Sequence, residues 1–554
     1  MYQPLDPGQS AAAWSGVVLV NTHIRIQCDS FVSAMISRRD FTRTATALGI
    51  SGTVPSLLRA QTSALQARIK LDTDRRIGEI DPKLYGNFAE HLGRCIEGGL
   101  FEEGSPLADS HGYRKDVMQA IKDLDVTFLR WPGGNFSSNY NWKDGIGPRD
   151  QRPARLEMAW GTIESNRFGT HEFLDYTEAL GIEPYVCANL GTGSWTDAQQ
   201  WVEYCNTPSG TAMAKLRQQN GREKPWGVKY WGLGNEMDGP WQMGHRTAED
   251  YGKFALEAAK LMKWTDPSVK LIAAGSSNFG ANIDWVAWNR EVLAYLKDHI
   301  EYLSLHTYVG NAANDYYDFL SISNQLDDRI KTAAGTIRAA LGGARPEKPI
   351  YIAFDEYNVW YRARGNSQRG RRILEEHYNL EDALVIATML NTFVNNADTV
   401  KIANMAQIVN VIAPIFTNEK GMFLQTIFHP LQLFTKNTRG AALETWMDCP
   451  SYESKRFGKT AYLDVSSAIN GKTLTVNVVN RHLDKDIEID LQLEDATFAA
   501  TVEVALVTGP DIKAENDFGK TTVQTVKSSV KANGARLRHR VPPHSYTMLK
   551  AVLG

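Results

Sequence analysis

Downstream of residue 66 the chain has no stretch of about 18 or more apolar residues, which excludes a bilayer-crossing helix there. An excess of charge of either sign is also missing. The net charge is -3 and the basic residues form no long run, so no surface for a nucleic acid is indicated. Cysteine is scarce: Cys28, Cys95, Cys187, Cys205 and Cys449 show neither a CxxC nor a Cys/His spacing, which argues against a zinc site and a dense disulfide framework. Isolated buried thiols are the plain expectation, and a Cys187–Cys205 bridge stays open. No HExxH helix is present, and Gly133-Gly134-Asn135 is not followed by Gly-Lys-Ser/Thr. A metallohydrolase of that kind and a phosphate-cradling loop are thereby set aside, and neither cofactor nor metal is expected. Internal repeats and low-complexity linkers are absent too.

What remains is a 554-residue chain, long enough for a β/α barrel, a second domain and a tail. Residues 1–66 read as the tail. Ser37-Arg38-Arg39-Asp40-Phe41-Thr42-Arg43 resembles a twin-arginine export motif and precedes a weakly apolar stretch from Thr44 to Leu58, with small-residue cleavage candidates after Ala60 or Ala64. The expectation is a periplasmic or secreted protein, with the cytoplasm as the alternative. A start at Met35 would leave residues 1–34 as an upstream extension.

From about residue 84, short apolar runs alternate with amphipathic stretches. Eight strands are expected: Leu84–Glu90, Val126–Pro132, Glu183–Leu190, Val228–Glu236, Lys270–Ala274, Tyr302–Tyr308, Ile350–Glu356 and Thr399–Gln407. Helices are expected between them, one placing Val117, Ile121 and Leu124 on one face. Another runs from Thr170 and buries Phe173, Thr177 and Leu180 before Gly181; a third is capped by Thr247 with Asp250 and carries Tyr251, Phe254, Ala258 and Leu261. Eight such repeats imply a closed (β/α)8 barrel over 81–437. Beyond about residue 438 the period becomes two, at Leu474, Val476 and Val478 after Asn470-Gly471, at Ile487 to Leu493, and at Val502 to Leu506. This predicts a C-terminal β-sandwich of jelly-roll kind over 438–554, joined by a strand from within 67–80.

Barrel chemistry sits at the C-terminal strand ends, and those ends are polar here: Glu90, Arg130 with Asn135 beyond it, Asn189, Asn235 and Glu236, His306 and Tyr308, Glu356, and Gln407. Glu236 and Glu356 end the fourth and seventh strands, which face one another across a barrel mouth. A glycosidic bond needs an acid on its leaving oxygen and a carboxylate or activated water on the opposite face. Glu236 is expected to be the acid/base, its proton affinity raised by burial and by the charge of Glu356. Glu356 is expected to be the nucleophile, kept ionised by Arg130 and Tyr308. Asn235 suits the sugar 2-OH and His306 another sugar hydroxyl. A gap of roughly 5–5.5 Å between the carboxyl groups would give retention of configuration. His91 is expected to pack beneath the site. The 14 Trp residues are read mainly as core, with sugar stacking open for some.

Six segments together resemble the α-L-arabinofuranosidases of glycoside hydrolase family 51: Gly86–Arg94, Arg130-Trp131-Pro132-Gly133-Gly134-Asn135, Tyr140-Asn141-Trp142, Gly234-Asn235-Glu236-Met237-Asp238-Gly239-Pro240-Trp241, Asp355–Tyr361 and Ala406–Asn410. The resemblance runs from about Ile80 to the C-terminus. It implies Glu236 as acid/base and Glu356 as nucleophile. It also implies that Glu90, Asn135, Asn235, Tyr308 and Gln407 hold the arabinofuranose, with Trp160, His306 and Trp360 as wall or supporting positions. It further implies exo-action on arabinan, arabinoxylan or derived oligosaccharides, and a homo-oligomer, a hexamer in many bacterial members. Tyr357 and Thr307 depart from residues common in the family, which leaves the leaving-group preference open. The competing readings are another retaining barrel glycosidase, such as a β-xylosidase or endoglucanase, and a non-catalytic carbohydrate-binding protein.

Overall fold

The computed structural model describes residues 64–280, 282–343, 348–365 and 370–554. The export-like stretch, Met35 and Cys28 lie outside them. Eight parallel strands close a barrel in chain order: β1 (Gly86–Phe88), β2 (Phe128–Trp131), β3 (Glu183–Ala188), β4 (Tyr230–Leu233), β5 (Lys270–Ala273), β6 (Tyr302–Val309), β7 (Tyr351–Val359) and β8 (Val400–Ala406). Each expected strand is found. Along these strands alternate side chains point inward, as a period of two demands. Phe128, Tyr185, Ile272, Tyr302, Ala353 and Ile402 pack as one apolar layer. Two residues further along β2 comes Arg130, and along β6 come Ser304, His306 and Tyr308. The polar site therefore stands directly on an apolar plug.

The expected helices are present. Lys115–Leu124 buries Val117, Ala120, Ile121 and Leu124, and the three larger side chains contribute about 1.5–3 kcal/mol each on leaving water. Thr170–Leu180 stops at Gly181, whose φ of 68° is the left-handed turn that glycine adopts without strain. Leu180 stays half-buried rather than in the core. Thr247 caps Ala248–Thr265 by accepting the Asp250 N–H. Among the described residues the four cysteines, Cys95, Cys187, Cys205 and Cys449, are free thiols, so the open Cys187–Cys205 pairing is not made.

The remaining large sheet has nine strands and includes Leu65–Glu79, which lies between Ala441–Asp448 and Ile487–Leu493. Its strands share one apolar core, including Ile69, Leu443, Val476, Ile489, Val504, Leu537 and Leu549, so the sheet folds over on itself as a sandwich. Thr473–Asn480 is buried on both faces rather than on alternate residues. Its polar positions meet the barrel side of the molecule: Thr475 donates to the Asn437 carbonyl, and Asn477 to Thr438. The helix Leu380–Asn395 is buried almost all round for the same reason. It packs on β7 and hydrogen-bonds the sandwich through Asn391, which pairs with Asp464 and Ser466.

Candidate active site

Glu356 lies inside β7, not at its tip, because that strand continues to Val359. Between Ala353 and Glu356 the pairing of β7 with β6 slips, with Ala353 opposite Ser304 and Glu356 opposite His306. Three residues of β7 thus span two of β6, the mark of a β-bulge. The extra residue breaks the alternation, and two consecutive acids both reach the barrel interior. Asp355 accepts from Tyr185 Oη at 2.8 Å and from Ser304 Oγ, and lies 3.2 Å from His306 Nε2. Glu356 accepts from Arg130 Nη1 at 2.7 Å and from Tyr308 Oη at 2.7 Å.

Glu236 follows β4, on a turn where its own φ is 45°. His306 Nδ1 lies 3.0 Å from its Oε1, and Trp241 Nε1 donates to its Oε2 at 2.5 Å. Asn235 accepts from Arg130 Nη2 at 2.5 Å and donates weakly to Gln242 at 3.4 Å. Ligating atoms of Glu236, His306 and Glu356 all fall within 4.8 Å of one another. That is the spacing of a retaining pair rather than of an inverting one, where roughly 6.5–9.5 Å leaves room for a water.

Glu90, just past β1, accepts from Phe136 N at 3.0 Å, Trp160 Nε1 at 3.1 Å and Gln407 Nε2 at 3.0 Å. A methyl group at Gly134 would sit 3.2 Å from Glu90 Oε2 and 3.3 Å from Glu356 Oε1, so bare backbone separates these two acids. Gln407 Oε1 is buried with no partner among the described residues, an acceptor suited to a sugar hydroxyl. Asn135 opens the turn Asn135–Asn139 and is half-buried. Trp160 sits on the turn between Arg155–Glu157 and Thr162–Glu164, fixed by its N–H to Glu157. Trp360 packs edge-on against Tyr308, with ring centres 5.4 Å apart.

Burial and mutual repulsion spread the proton affinities of these acids. Burial first, and then the charge of Glu356, push Glu90 up to about 8. Glu236 is raised by burial and by Glu356, against the hydrogen bonds from His306 and Trp241. For Asp355, burial is outweighed by Arg130, His306 and Ser304, which hold it down at about 2. Burial likewise opposes charge on His306, but Glu356, Asp355 and Glu236 outweigh it, and the imidazole is held protonated well above its usual range. Pairs of acids whose environments drive their affinities apart are the means of assigning an acid and a base in one cleft.

Some expectations change. Asn189 is a loop cap whose Oδ1 accepts the N–H groups of Gly191, Thr192 and Gly193, so its polar strand end is not part of the site. Tyr357 and Thr307 turn away from the barrel axis: Tyr357 packs on Phe393, and Thr307 accepts from Arg329. Neither faces the carboxyl cluster, so these departures leave the site walls untouched. His91 packs on Phe136 with ring centres 4.5 Å apart and lies 2.9 Å from Glu164. A cavity of about 290 Å³ beside the site, lined by Phe136, Tyr140, Asn141, Arg155 and Glu157 among others, includes neither Glu236 nor Glu356. The sequence alone assigns no role to Asp355, Tyr185, Ser304 or Trp241.

A closed β/α barrel with two carboxyl groups at this spacing defines a glycoside hydrolase. Two family descriptions match: the α-L-arabinofuranosidase 1 domain over residues 120–329 and the α-L-arabinofuranosidase C-terminal domain over 355–545. The intracellular exo-α-(1→5)-L-arabinofuranosidase 1 of Bacillus subtilis is 41% identical over 497 residues, covering 88% of this chain and 99% of its own. The probable α-L-arabinofuranosidase C of Aspergillus fumigatus is 39% identical, covering 87% and 96%. Among solved structures, an α-L-arabinofuranosidase from Thermotoga maritima in complex with arabinose superposes with a TM-score of 0.80 at 36% identity, covering 88% of this chain and 99% of that one. A family 51 α-L-arabinofuranosidase from Bifidobacterium longum gives 0.83 at 32% identity, covering 88% and 100%. This chain belongs to the α-L-arabinofuranosidases of glycoside hydrolase family 51. Retention of anomeric configuration is a property of that family.

Proposed function

We propose that this enzyme releases terminal, non-reducing α-L-arabinofuranosyl units from arabinan, arabinoxylan or their oligosaccharides, with Glu356 as nucleophile and Glu236 as acid/base. One observation carries the reading: the two carboxyl groups converge on His306 within 4.8 Å. In the first step a Glu356 oxygen bonds to the anomeric carbon while Glu236 gives its proton to the departing glycosidic oxygen. In the second, Glu236 takes a proton from water as that water displaces Glu356. Arg130 and Tyr308 keep Glu356 charged and aimed. Glu236 is protonated at the start because burial and Glu356 favour the neutral acid. Once it has given up the proton, the His306 imidazolium and the Trp241 N–H stabilise the anion.

In this reading Glu90, Asn135, Asn235 and Gln407 hold the furanose, and Trp160 and Trp360 wall it. The Glu236→Ala variant tests the roles. It should lower kcat/KM by several orders of magnitude for sugar leaving groups and far less for dinitrophenyl arabinofuranoside, because in the first step only the former need a proton. Equal damage to both would refute the assignment.

The relatives from Bacillus subtilis and two other bacteria are named intracellular. That supports action in the cytoplasm and points away from the exported protein expected from the twin-arginine-like stretch. Activity recovered in a periplasmic rather than a cytoplasmic fraction would reverse this. A homo-oligomer, a hexamer by family resemblance, is part of the same proposal, and light scattering of the purified enzyme tests it.

A further inference from the structure

Away from the carboxyl cluster, but on helices that start at the same end of the barrel, three side chains form one patch. Trp195 opens the helix Trp195–Asn206 that follows β3, and 41% of it is exposed. Its ring centre lies 5.6 Å from that of Phe254, which belongs to Ala248–Thr265, the helix that follows β4. The Arg246 guanidinium sits over the same Phe254 ring, 4.3 Å from its centre. A single exposed aromatic ring is ordinary on a protein surface. Arg246 sets this patch apart. It is half-buried, its Nε is buried without a hydrogen-bond partner, and its guanidinium makes no ion pair among the described residues. A donor withdrawn from water and left unbonded is unfavourable, and an acceptor supplied by a ligand removes that cost.

The patch is fixed relative to the acid. Asn189 ties down the backbone of Gly191, Thr192 and Gly193, Thr192 Oγ1 donates to the Ser138 carbonyl at 2.9 Å, and Ser194 caps the helix by accepting the Asp197 N–H at 3.1 Å. A methyl group at Gly244 would lie 2.5–2.7 Å from the backbone of Gly191, so the turns after β3 and β4 touch through bare glycine backbone. Arg246 N–H bonds the carbonyl of Met237, the residue after Glu236, at 3.0 Å. The acid protonates the leaving oxygen, so the departing chain lies on the Glu236 side of the cleft, toward these two turns.

We propose that Trp195, Phe254 and Arg246 form a binding site, remote from the bond that is cut, for the leaving-group portion of a neutral furanosyl polysaccharide. The Trp195 ring takes the C–H face of one sugar, and Arg246 donates to sugar oxygens beside it. Glu249 and Asp250, in the first turn of the same helix as Phe254, offset the charge of Arg246 and favour an uncharged chain.

The inference rests on Glu236 being the acid/base, and the leaving-group test of Glu236→Ala judges that reading separately. In Trp195→Ala, kcat/KM for linear α-(1→5)-arabinan should fall about five- to tenfold, through KM rather than kcat. For α-(1→5)-arabinobiose and nitrophenyl arabinofuranoside, both too short to reach the patch, it should stay within about twofold of the wild type. Arg246→Met, which keeps an apolar stem on Phe254, should show the same split, and Trp195→Tyr, which keeps a ring, should recover most of the loss. Arabinan cast into a native gel should retard the wild type more than Trp195→Ala. An arabinan value within about twofold of the wild type in Trp195→Ala, or an equal loss on arabinobiose, overturns the proposal. So does a change of mass by light scattering in that variant, which would make the patch a contact between copies of the chain.

Discussion

Asp355 and Glu356 are chain neighbours that share the barrel interior, one bound to Tyr185 and His306, the other to Arg130 and Tyr308. Regular strand geometry would send one of them outward. The bulge in β7 makes Asp355 the anchor for the imidazole that bridges toward Glu236, and leaves Glu356 free for its own partners.

Asp355→Asn should therefore change how stability depends on acid. The carboxyl is held at about 2 in the fold, against roughly 3.9 unfolded. Its stabilisation is present above about pH 4 and is lost as pH falls toward 2, a contribution on the order of 2–3 kcal/mol. Urea unfolding at pH 3.5 and at pH 6 should differ less in the variant than in the wild type. An unchanged difference would remove Asp355 from the account.

Glu90 behaves in the opposite sense. Its folded value of about 8 lies above the unfolded one of roughly 4.3, so it weakens the fold progressively as pH rises between the two. Glu90→Gln copies the neutral acid and can still accept from Phe136 and Trp160. Its melting temperature should exceed that of the wild type at pH 8.5, with the gap closing by pH 4.5. A gap that does not depend on pH would show that Glu90 is not protonated near neutrality.

Tyr308→Phe removes one donor to Glu356 and keeps the ring that packs on Trp360. A hydrogen bond to a charged acceptor is worth about 1.5–3 kcal/mol, or roughly 10- to 150-fold in rate if it is fully used in the transition state. The burst rate with a dinitrophenyl leaving group should fall by that much, while stability changes by about 1 kcal/mol or less. A rate within about twofold of the wild type would mean that Arg130 alone orients Glu356.

The barrel was legible because seven of the eight strands are apolar runs with polar residues at or just beyond their ends, Lys270–Ala274 being the exception, and because the helices between them carry caps such as Thr247 and Gly181. The carboxyl pair was legible for the same reason. Asp355 was not: a bulge is a slip in pairing between two strands, and nothing in Phe354-Asp355-Glu356 announces it. Asn189 misled because a loop cap and a substrate ligand look alike at a strand end. Thr475 and Asn477 read as solvent-facing alternates, but their side chains meet the barrel, a contact between segments distant in sequence. Trp241 lay in a familiar segment, yet only the fold of the turn at Gly239 brings its N–H to the acid.

The most direct test is peptide mass spectrometry of Glu236→Ala during turnover of dinitrophenyl α-L-arabinofuranoside. With the acid/base gone, formation of the covalent intermediate proceeds and its hydrolysis stalls. A pentosyl increment on the peptide carrying Glu356 is the predicted result. An increment on another residue, or none while the product forms with inverted configuration, would contradict the pairing of these two acids.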